Sequence, residues 1–198
     1  MPDISLKKTL NLKDKKIVAL FDDVSSLQSE NESETSNVKR QITYTIPSHL
    51  ATAKSQYQLL CTLHYGGYIP DADVESLNFL AKEISRKVNG YKQQDVKRKL
   101  YEPATMITTH QIRQKLIDET ITCCFCNTHV SLLFDTVRDM TQWTLDRIDN
   151  NIGHSDRNTK ISCLKCNLER RRQDYHSFHW TKNLCISNVD DEYKEGEE

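Results

Sequence analysis

The chain carries Cys-Cys-Phe-Cys at residues 123–126 and Cys-Leu-Lys-Cys at residues 163–166. Four thiolates from two such tight turns form the ligand set of a closed tetrahedral zinc site, which stabilises a segment too small to fold on its own core. We therefore predict one structural zinc ion, bound by Cys123, Cys126, Cys163 and Cys166. Two alternatives stay open: Cys124 could replace a neighbour as a ligand, or the cysteines could be buried free thiols.

The composition argues against a secreted or membrane-spanning protein. Neither a signal peptide nor a run of 18 apolar residues is visible in the 198-residue sequence. Seven cysteines, an odd number, indicate thiols and metal ligands rather than a disulfide framework. We expect an intracellular protein of the cytoplasm or nucleus, with no membrane partner. A mean hydropathy of −0.67 is low for a compact globule, so part of the chain should lack an apolar core.

The net charge of −1 conceals an uneven distribution of charge along the chain. Residues 1–36 and 184–198 are acidic, whereas residues 37–183 carry 21 bases against 15 acids, a net charge of +6. A basic body with acidic ends is compatible with a nucleic-acid partner. The same excess is also ordinary for a segment of this length, so charge alone does not decide the matter.

Changes in composition divide the chain into four predicted parts. Residues 25–37 contain a single apolar side chain, Leu27, and cannot offset the entropy lost on ordering. The parts are a flexible arm at 1–46, a helical region at 47–105, a zinc domain at 106–183 and an acidic tail at 184–198. The helical region has no evident role of its own, and a protein partner could dock on it.

Apolar periodicity predicts four helices before the first cysteine pair. Residues 50–64 show the three- and four-residue spacing of an amphipathic helix. A second helix is predicted to begin at Asp73 and to stop at the Asn-Gly pair of residues 89–90. A shorter third helix should cover 93–101, and a capping box at 108–111 should open the fourth.

Between the cysteine pairs the pattern changes to short β-prone pieces. Residues 143–148 alternate like a strand, and the Asp-Asn-Asn-Ile-Gly sequence at 149–153 is typical of a turn. Residues 158–162 lead into the second cysteine pair, and residues 167–173 are good helix formers. The predicted fold class is α+β, with a ββα unit of treble-clef order held by zinc.

Three side chains of this unit have the order found in a nuclease family. Asp146, Asn158 and Asn167, together with the four cysteines, resemble the HNH endonucleases, whose ββα-metal unit is often held by a four-cysteine zinc. The resemblance covers residues 120–180 and implies that Asp146 and Asn167 bind a catalytic Mg²⁺ or Mn²⁺. It implies that Asn158 ties down the loop. A lone carboxylate with one amide oxygen suffices for Mg²⁺, which keeps most of its waters.

Basic residues surround the proposed catalytic helix. The expected phosphate ligands are Lys160, Lys165, Arg170, Arg171 and Arg172. Arginine binds phosphate in a bidentate manner, and Arg171 should lie one helical turn after Asn167 on the same side. The alternative is that the three consecutive arginines form a solvated helix face. With phosphate contacts, the partner is nucleic acid, and we expect DNA.

Arg147 departs from the HNH pattern. The family carries a histidine there as the general base, and a guanidinium cannot serve because it stays protonated. The Leu-Asp-Arg-Ile-Asp-Asn sequence at 145–150 resembles a variant of HNH-like proteins from phages and large DNA viruses. His154 is the nearest imidazole and is either a recruited base or a surface loop residue. The sequence thus favours a metal-dependent DNA endonuclease of viral type, with a zinc module that only binds nucleic acid or protein as the alternative.

Overall fold

The computed structural model describes residues 41–184, which contain five α-helices and a two-stranded antiparallel sheet. The elements are α1 (Ala53–Tyr65), α2 (Val74–Arg98), α3 (Thr109–Asp118), β1 (Trp143–Arg147), β2 (Thr159–Cys163), α4 (Leu164–Arg170) and α5 (Tyr175–Lys182). The predicted α+β class is confirmed. No helix in this range is long and apolar enough to cross a membrane. The arm predicted before residue 41 and the tail predicted after residue 184 lie outside the described residues.

The last six residues of the predicted arm belong to the folded body. Tyr44 is buried and stacks on Phe79, with ring centroids 4.2 Å apart. Its hydroxyl donates a hydrogen bond of 2.8 Å to the Ser76 hydroxyl. The prediction that the arm extends to residue 46 is therefore wrong. A tyrosine ring packed on a phenylalanine ring removes enough apolar surface from water to order a short extended segment.

Caps at helix ends follow the sequence signals. Thr52 accepts a hydrogen bond from the Ser55 amide at the start of α1, and Gly66, with φ of 79°, ends that helix. The capping box predicted for α3 is confirmed. Thr108 accepts from the Gln111 amide at 3.2 Å, and Gln111 Oε1 accepts from the Thr108 amide at 2.9 Å. This capping box provides hydrogen-bond acceptors for two backbone amides that the start of a helix otherwise leaves without partners.

Helix α2 continues through the Asn-Gly pair that was predicted to stop it. It runs for 25 residues and includes residues 93–98, so the separate helix predicted at 93–101 does not exist and its last three residues are not helical. The helix ends at Arg98 and is capped by Lys99, which takes a left-handed conformation with φ of 59°. A glycine inside a helix costs about 1 kcal/mol. Contacts beyond the glycine offset this cost, because Tyr91 and Asp95 are both buried against the strand and loop that follow α3.

The two strands pair so that Trp143 faces Cys163 and Arg147 faces Thr159. Cys163 ends β2 and caps α4, its sulfur accepting a hydrogen bond from the Cys166 amide at 3.4 Å. The helix predicted for 167–173 is too long at its carboxyl end. Helix α4 stops at Arg170 because Arg171 takes φ of 51° and ψ of −103°.

The boundary predicted between residues 105 and 106 is not a domain boundary. Apolar side chains on both sides of it belong to one core, from Leu60 and Leu80 to Trp143 and Ile161. Polar contacts cross it as well. Gln56 Oε1 accepts from the Leu132 amide at 2.8 Å, and the Tyr91 hydroxyl accepts from the Leu145 amide at 2.9 Å. The helical region is therefore part of the body that carries the cysteines.

Gly153 is where the loop between the strands touches the end of α2. A Cβ at this position would lie 2.5 Å from the Leu100 carbonyl oxygen and 3.0 Å from Asp95 Oδ2. We expect Gly153→Ala to lower the free energy of unfolding by about 1–3 kcal/mol, the usual cost of overpacking. Urea denaturation followed by circular dichroism would measure the loss.

A second glycine provides the matched control for this prediction. Gly90 lies inside α2, and a Cβ there would meet no atom within 4 Å. Gly90→Ala should therefore raise the free energy of unfolding by about 0.5–1 kcal/mol. If both variants were as stable as the wild type, the close approach of the loop to α2 would be wrong.

Candidate metal centre and arginine-lined cavity

The four cysteines of the two pairs lie together. The sulfurs of Cys123, Cys126, Cys163 and Cys166 are all within 4.8 Å of one another, and the Cys126 and Cys163 sulfurs are 4.0 Å apart. Zn–S bonds of about 2.3 Å in a tetrahedron place sulfurs roughly 3.8 Å apart. The cluster could therefore hold a metal ion such as zinc. Cys124 is not part of it.

The protonation of the thiols fits metal binding. The hydrogen bond from the Cys163 thiol lowers the pKa of Cys123 to about 4. Burial raises the pKa of Cys166 to about 12. These shifts favour the thiolate form of Cys123 and the thiol form of Cys166. A metal ion binds such a set by displacing the remaining protons.

The cysteine cluster fixes the start of α4 and so the position of the residue that follows it. Cys163 and Cys166 both belong to the first turn of this seven-residue helix. Asn167 comes directly after Cys166. Its amide nitrogen donates to Thr144 Oγ1 and to the Leu145 carbonyl, both at 3.1 Å. With the nitrogen held by β1, the amide oxygen is the atom that can bind a cation.

Asn167 and Asp146 line one cavity of about 750 Å³. Tyr91 and Gln94 of α2 line it as well. Four arginines lie around it: Arg98, Arg147, Arg171 and Arg172. Among the described residues of the lining, Asp146 is the only carboxylate and none is a histidine. The excess of guanidinium groups makes the cavity lining cationic, and fixed cations around a partly enclosed space raise the local concentration of anions.

Asp146 has one occupied carboxylate oxygen and one without a partner. Oδ1 accepts from Arg170 Nη1 at 2.6 Å, whereas Oδ2 is buried and has no hydrogen-bond partner among the described residues. Burial raises the pKa of Asp146 to about 6, and the Arg170 guanidinium opposes this rise. A buried carboxylate oxygen without a partner is costly. Oδ2 is therefore the carboxylate oxygen that can still take a partner at this position.

Asn158 holds the loop between the strands by hydrogen bonds at both ends of its amide. Oδ1 accepts from the Asp149 amide at 2.9 Å. Nδ2 donates to three carbonyl oxygens, those of Asp149, Ile152 and Gly153, at 2.9–3.2 Å. This geometry is that of a side chain that ties down a loop, and it places Asn158 outside the cavity lining.

His154 is not a surface loop residue, which was one of the two possibilities in the sequence. It is buried, and its Nδ1 lies 2.8 Å from Asp95 Oδ1. Its backbone amide donates to Asp95 Oδ2 at 2.7 Å, and its ring stacks on Tyr91. Burial lowers the pKa of His154. The structure thus places this imidazole behind the loop, against α2, and not among the residues of the cavity.

Arg147 lines the cavity and, like His154, contacts Asp95. Its guanidinium donates to the Ile152 carbonyl at 3.3 Å and lies 3.6 Å from Asp95 Oδ1. Asp95 is almost fully buried and so holds both His154 and Arg147. One carboxylate of the helical region therefore holds both Arg147, which stands at the position of the HNH general base, and His154, the imidazole that could have been recruited in its place.

The five basic residues predicted to bind phosphate do not form one surface. Arg170 is wrong as a phosphate ligand, because it is 1% exposed and bonds Asp146 and the carbonyls of Arg147 and Ile148. Lys160 pairs with Glu119 at 3.4 Å. Lys165 is exposed, outside the lining of the cavity. Arg171 and Arg172 remain, both exposed and both in the lining.

Sequence reasoning missed the contribution of α2. Tyr91, Asp95 and Arg98 are four and three residues apart, which is the spacing of one helix face. This spacing can be read from the sequence, but the prediction that the helix ends at Gly90 separates these three residues from it. Nothing in the sequence indicated that this face meets the strand that carries Asp146.

No protein-family model, curated protein or solved structure matches this chain. The cysteine cluster and the cavity next to it are therefore interpreted from their own residues.

Proposed function

We propose that the protein is a metal-dependent, HNH-type endonuclease that hydrolyses phosphodiester bonds in DNA. One observation carries the proposal: Asp146, which has a carboxylate oxygen without a partner among residues 41–184, lines an arginine-rich cavity together with Asn167. The neighbouring cysteines fix the helix that carries Asn167. A hard cation beside fixed guanidinium groups suits a phosphodiester, which is anionic before and during hydrolysis.

Two metal ions have separate places in this proposal. The four cysteines would hold a structural zinc, consistent with a treble-clef ββα unit. Asp146 Oδ2 and the Asn167 amide oxygen would hold Mg²⁺ or Mn²⁺. When bound, the divalent cation supplies a Lewis acid that polarises the phosphate and offsets charge on the leaving oxygen.

The protein's own groups bind and orient the substrate. Arg171 and Arg172 project from the turn after α4 and are free to pair with phosphate oxygens on either side of the bond that is cut. Arg170 holds Asp146 in place from the opposite, buried side. Asn158 keeps the loop of residues 149–153 in one conformation.

A second candidate function is a zinc module that binds nucleic acid without cutting it. The described lining of the cavity contains no histidine and no carboxylate except Asp146, so no side chain there is an evident general base. This observation favours binding alone. Cleavage by the purified protein separates the two candidates.

The deciding experiment is a plasmid-nicking assay with Mg²⁺ or Mn²⁺, run on the wild type and on Asp146→Asn. We expect nicking that requires added Mg²⁺ or Mn²⁺, and a loss of at least about a hundredfold in the variant, because metal coordination contributes several kcal/mol. Asparagine is preferred to alanine because it keeps an acceptor for Arg170. Alanine would leave that guanidinium unpaired in the interior, and lost activity could not be separated from unfolding.

Asp135→Asn is the matched control for this assay. Asp135 is exposed and lies outside the cavity, so the same chemical change there should leave nicking unaltered. A wild type that binds DNA yet cuts none of several DNA forms with either metal would establish the binding module. Equal nicking by the wild type and Asp146→Asn would remove Asp146 from the reaction.

A further inference from the structure

The carboxyl-terminal turn of α2 faces the nucleic-acid site proposed above. Arg98 and Gln94 are exposed, and both line the cavity that contains Asp146 and Asn167. The two residues are one helical turn apart and so present a single face. The helical region thus supplies one wall of the cavity, and the strand and helix next to the cysteines supply the other.

Arg98 carries a positive charge that its neighbours do not neutralise. The nearest acid in sequence, Asp95, is buried and holds His154 and Arg147. Within residues 41–184, no carboxylate forms an ion pair with Arg98. The residues on either side, Lys97 and Lys99, are also basic and exposed. This end of the helix is therefore a cationic edge.

A basic last turn also complements the helix dipole, and that effect could by itself account for basic residues at this position. It does not explain why Arg98 lines the cavity. Lys97 and Lys99 already occupy the same turn outside the cavity lining, where they serve the dipole equally well. What distinguishes Arg98 is that it lines the same cavity as Arg171 and Arg172, and that the described lining of this cavity contains a single carboxylate.

We propose that α2 is the second wall of the nucleic-acid site and that Arg98 binds a backbone phosphate there. The nucleic-acid strand would then pass between the end of α2 and the turn after α4, with arginines on both sides. Gln94 can donate to a neighbouring phosphate or sugar oxygen. The inference rests on the part of the proposed function that concerns nucleic-acid binding, and does not require cleavage.

The test is binding of a fluorescein-labelled DNA duplex, measured by anisotropy without added Mg²⁺ or Mn²⁺, so that no cleavage occurs and the cysteine-bound zinc is kept. A single phosphate contact releases about 0.9 counterion from duplex DNA, which corresponds to roughly an eightfold effect on affinity at 0.1 M salt. Arg98→Gln should therefore bind roughly eightfold more weakly. The slope of log affinity against log salt should fall by about one, to a similar extent for unrelated sequences.

Lys82→Gln is the matched control. Lys82 is an exposed base on the same helix and lies outside the cavity. Its replacement therefore removes the same charge without removing the proposed phosphate contact. Equal losses in the two variants would show a general charge effect and overturn the proposal, as would unchanged binding by Arg98→Gln. These two results would leave the nuclease proposal intact.

Two further outcomes would overturn the endonuclease proposal, and only the second of them would also overturn the proposed role of α2. A wild type that binds DNA without nicking it, and that loses affinity on Arg98→Gln alone, would support the α2 wall and overturn the endonuclease. A wild type with no affinity for DNA, single-stranded or double-stranded, would overturn both. Thermal melts of both variants should match the wild type, because neither side chain is buried.

Discussion

Cys163→Ser is expected to abolish zinc binding and to lower the midpoint of thermal unfolding by about 6–20 °C. The four sulfurs lie within 4.8 Å of one another, and Cys163 is the residue that joins β2 to α4. Structural zinc contributes folding free energy directly. A loss of 3–5 kcal/mol shifts the midpoint by roughly 2–4 °C per kcal/mol in a chain of this size.

The shared core determines what this loss should look like. Phe125, which lies between Cys123 and Cys126 in the sequence, is fully buried and packs on Phe178 with ring centroids 4.9 Å apart. Trp143 and Ile161 of the sheet belong to the same core as the helices. Because that core remains, we expect a protein that keeps helical circular dichroism at low temperature but unfolds early on heating.

Elemental analysis and a thermal melt would check the prediction, with Cys124→Ser as the control. Cys124 lies inside the first pair but outside the cluster, so its replacement should leave one zinc per chain. Zinc content that falls in Cys124→Ser and not in Cys163→Ser would show that the ligand set is different. A wild-type protein purified without any metal would contradict the prediction of a structural zinc ion.

Local sequence signals predicted the parts of this fold whose causes are local. The cysteine spacing, the capping box at Thr108 and the α+β class each depend on residues close together in the chain. The failures involve contacts between distant residues. Gly90 reads as a helix stop until Tyr91 and Asp95 are known to meet the sheet and loop more than 50 residues away.

The same division applies to the candidate site. The order of Asp146, Asn158 and Asn167 was readable because each lies on a recognisable strand, loop or helix. The sequence could not distinguish Arg170 from Arg171, since three consecutive arginines look alike. Only the end of α4 at Arg170 separates an arginine that is buried against Asp146 from its exposed neighbours.

Arg147→His is expected to raise the rate of DNA nicking by about a hundredfold to ten-thousandfold, the usual contribution of a general base. Arg147 and Asp146 both line the cavity, so an imidazole at 147 would stand beside the residue proposed to bind the cation. Burial lowers the pKa of Arg147, an effect to which Arg98 adds and which Asp95 and Asp146 oppose. The same burial would lower the pKa of an imidazole at this position. The imidazole would therefore be neutral at pH 7 and able to accept a proton.

The pH profile and a third variant test this assignment. A base with a lowered pKa requires the neutral form, so nicking by Arg147→His should fall as the pH drops below about 6.5 and be level above it. Arg147→Gln removes the guanidinium without adding a base and should show no gain. If Arg147→His and Arg147→Gln are both slower than the wild type, Arg147 instead binds the phosphate that is cut, as its place among the cavity arginines would allow. If all three proteins bind DNA and none nicks it, the cavity recognises nucleic acid without hydrolysing it, because supplying the missing base did not start the reaction.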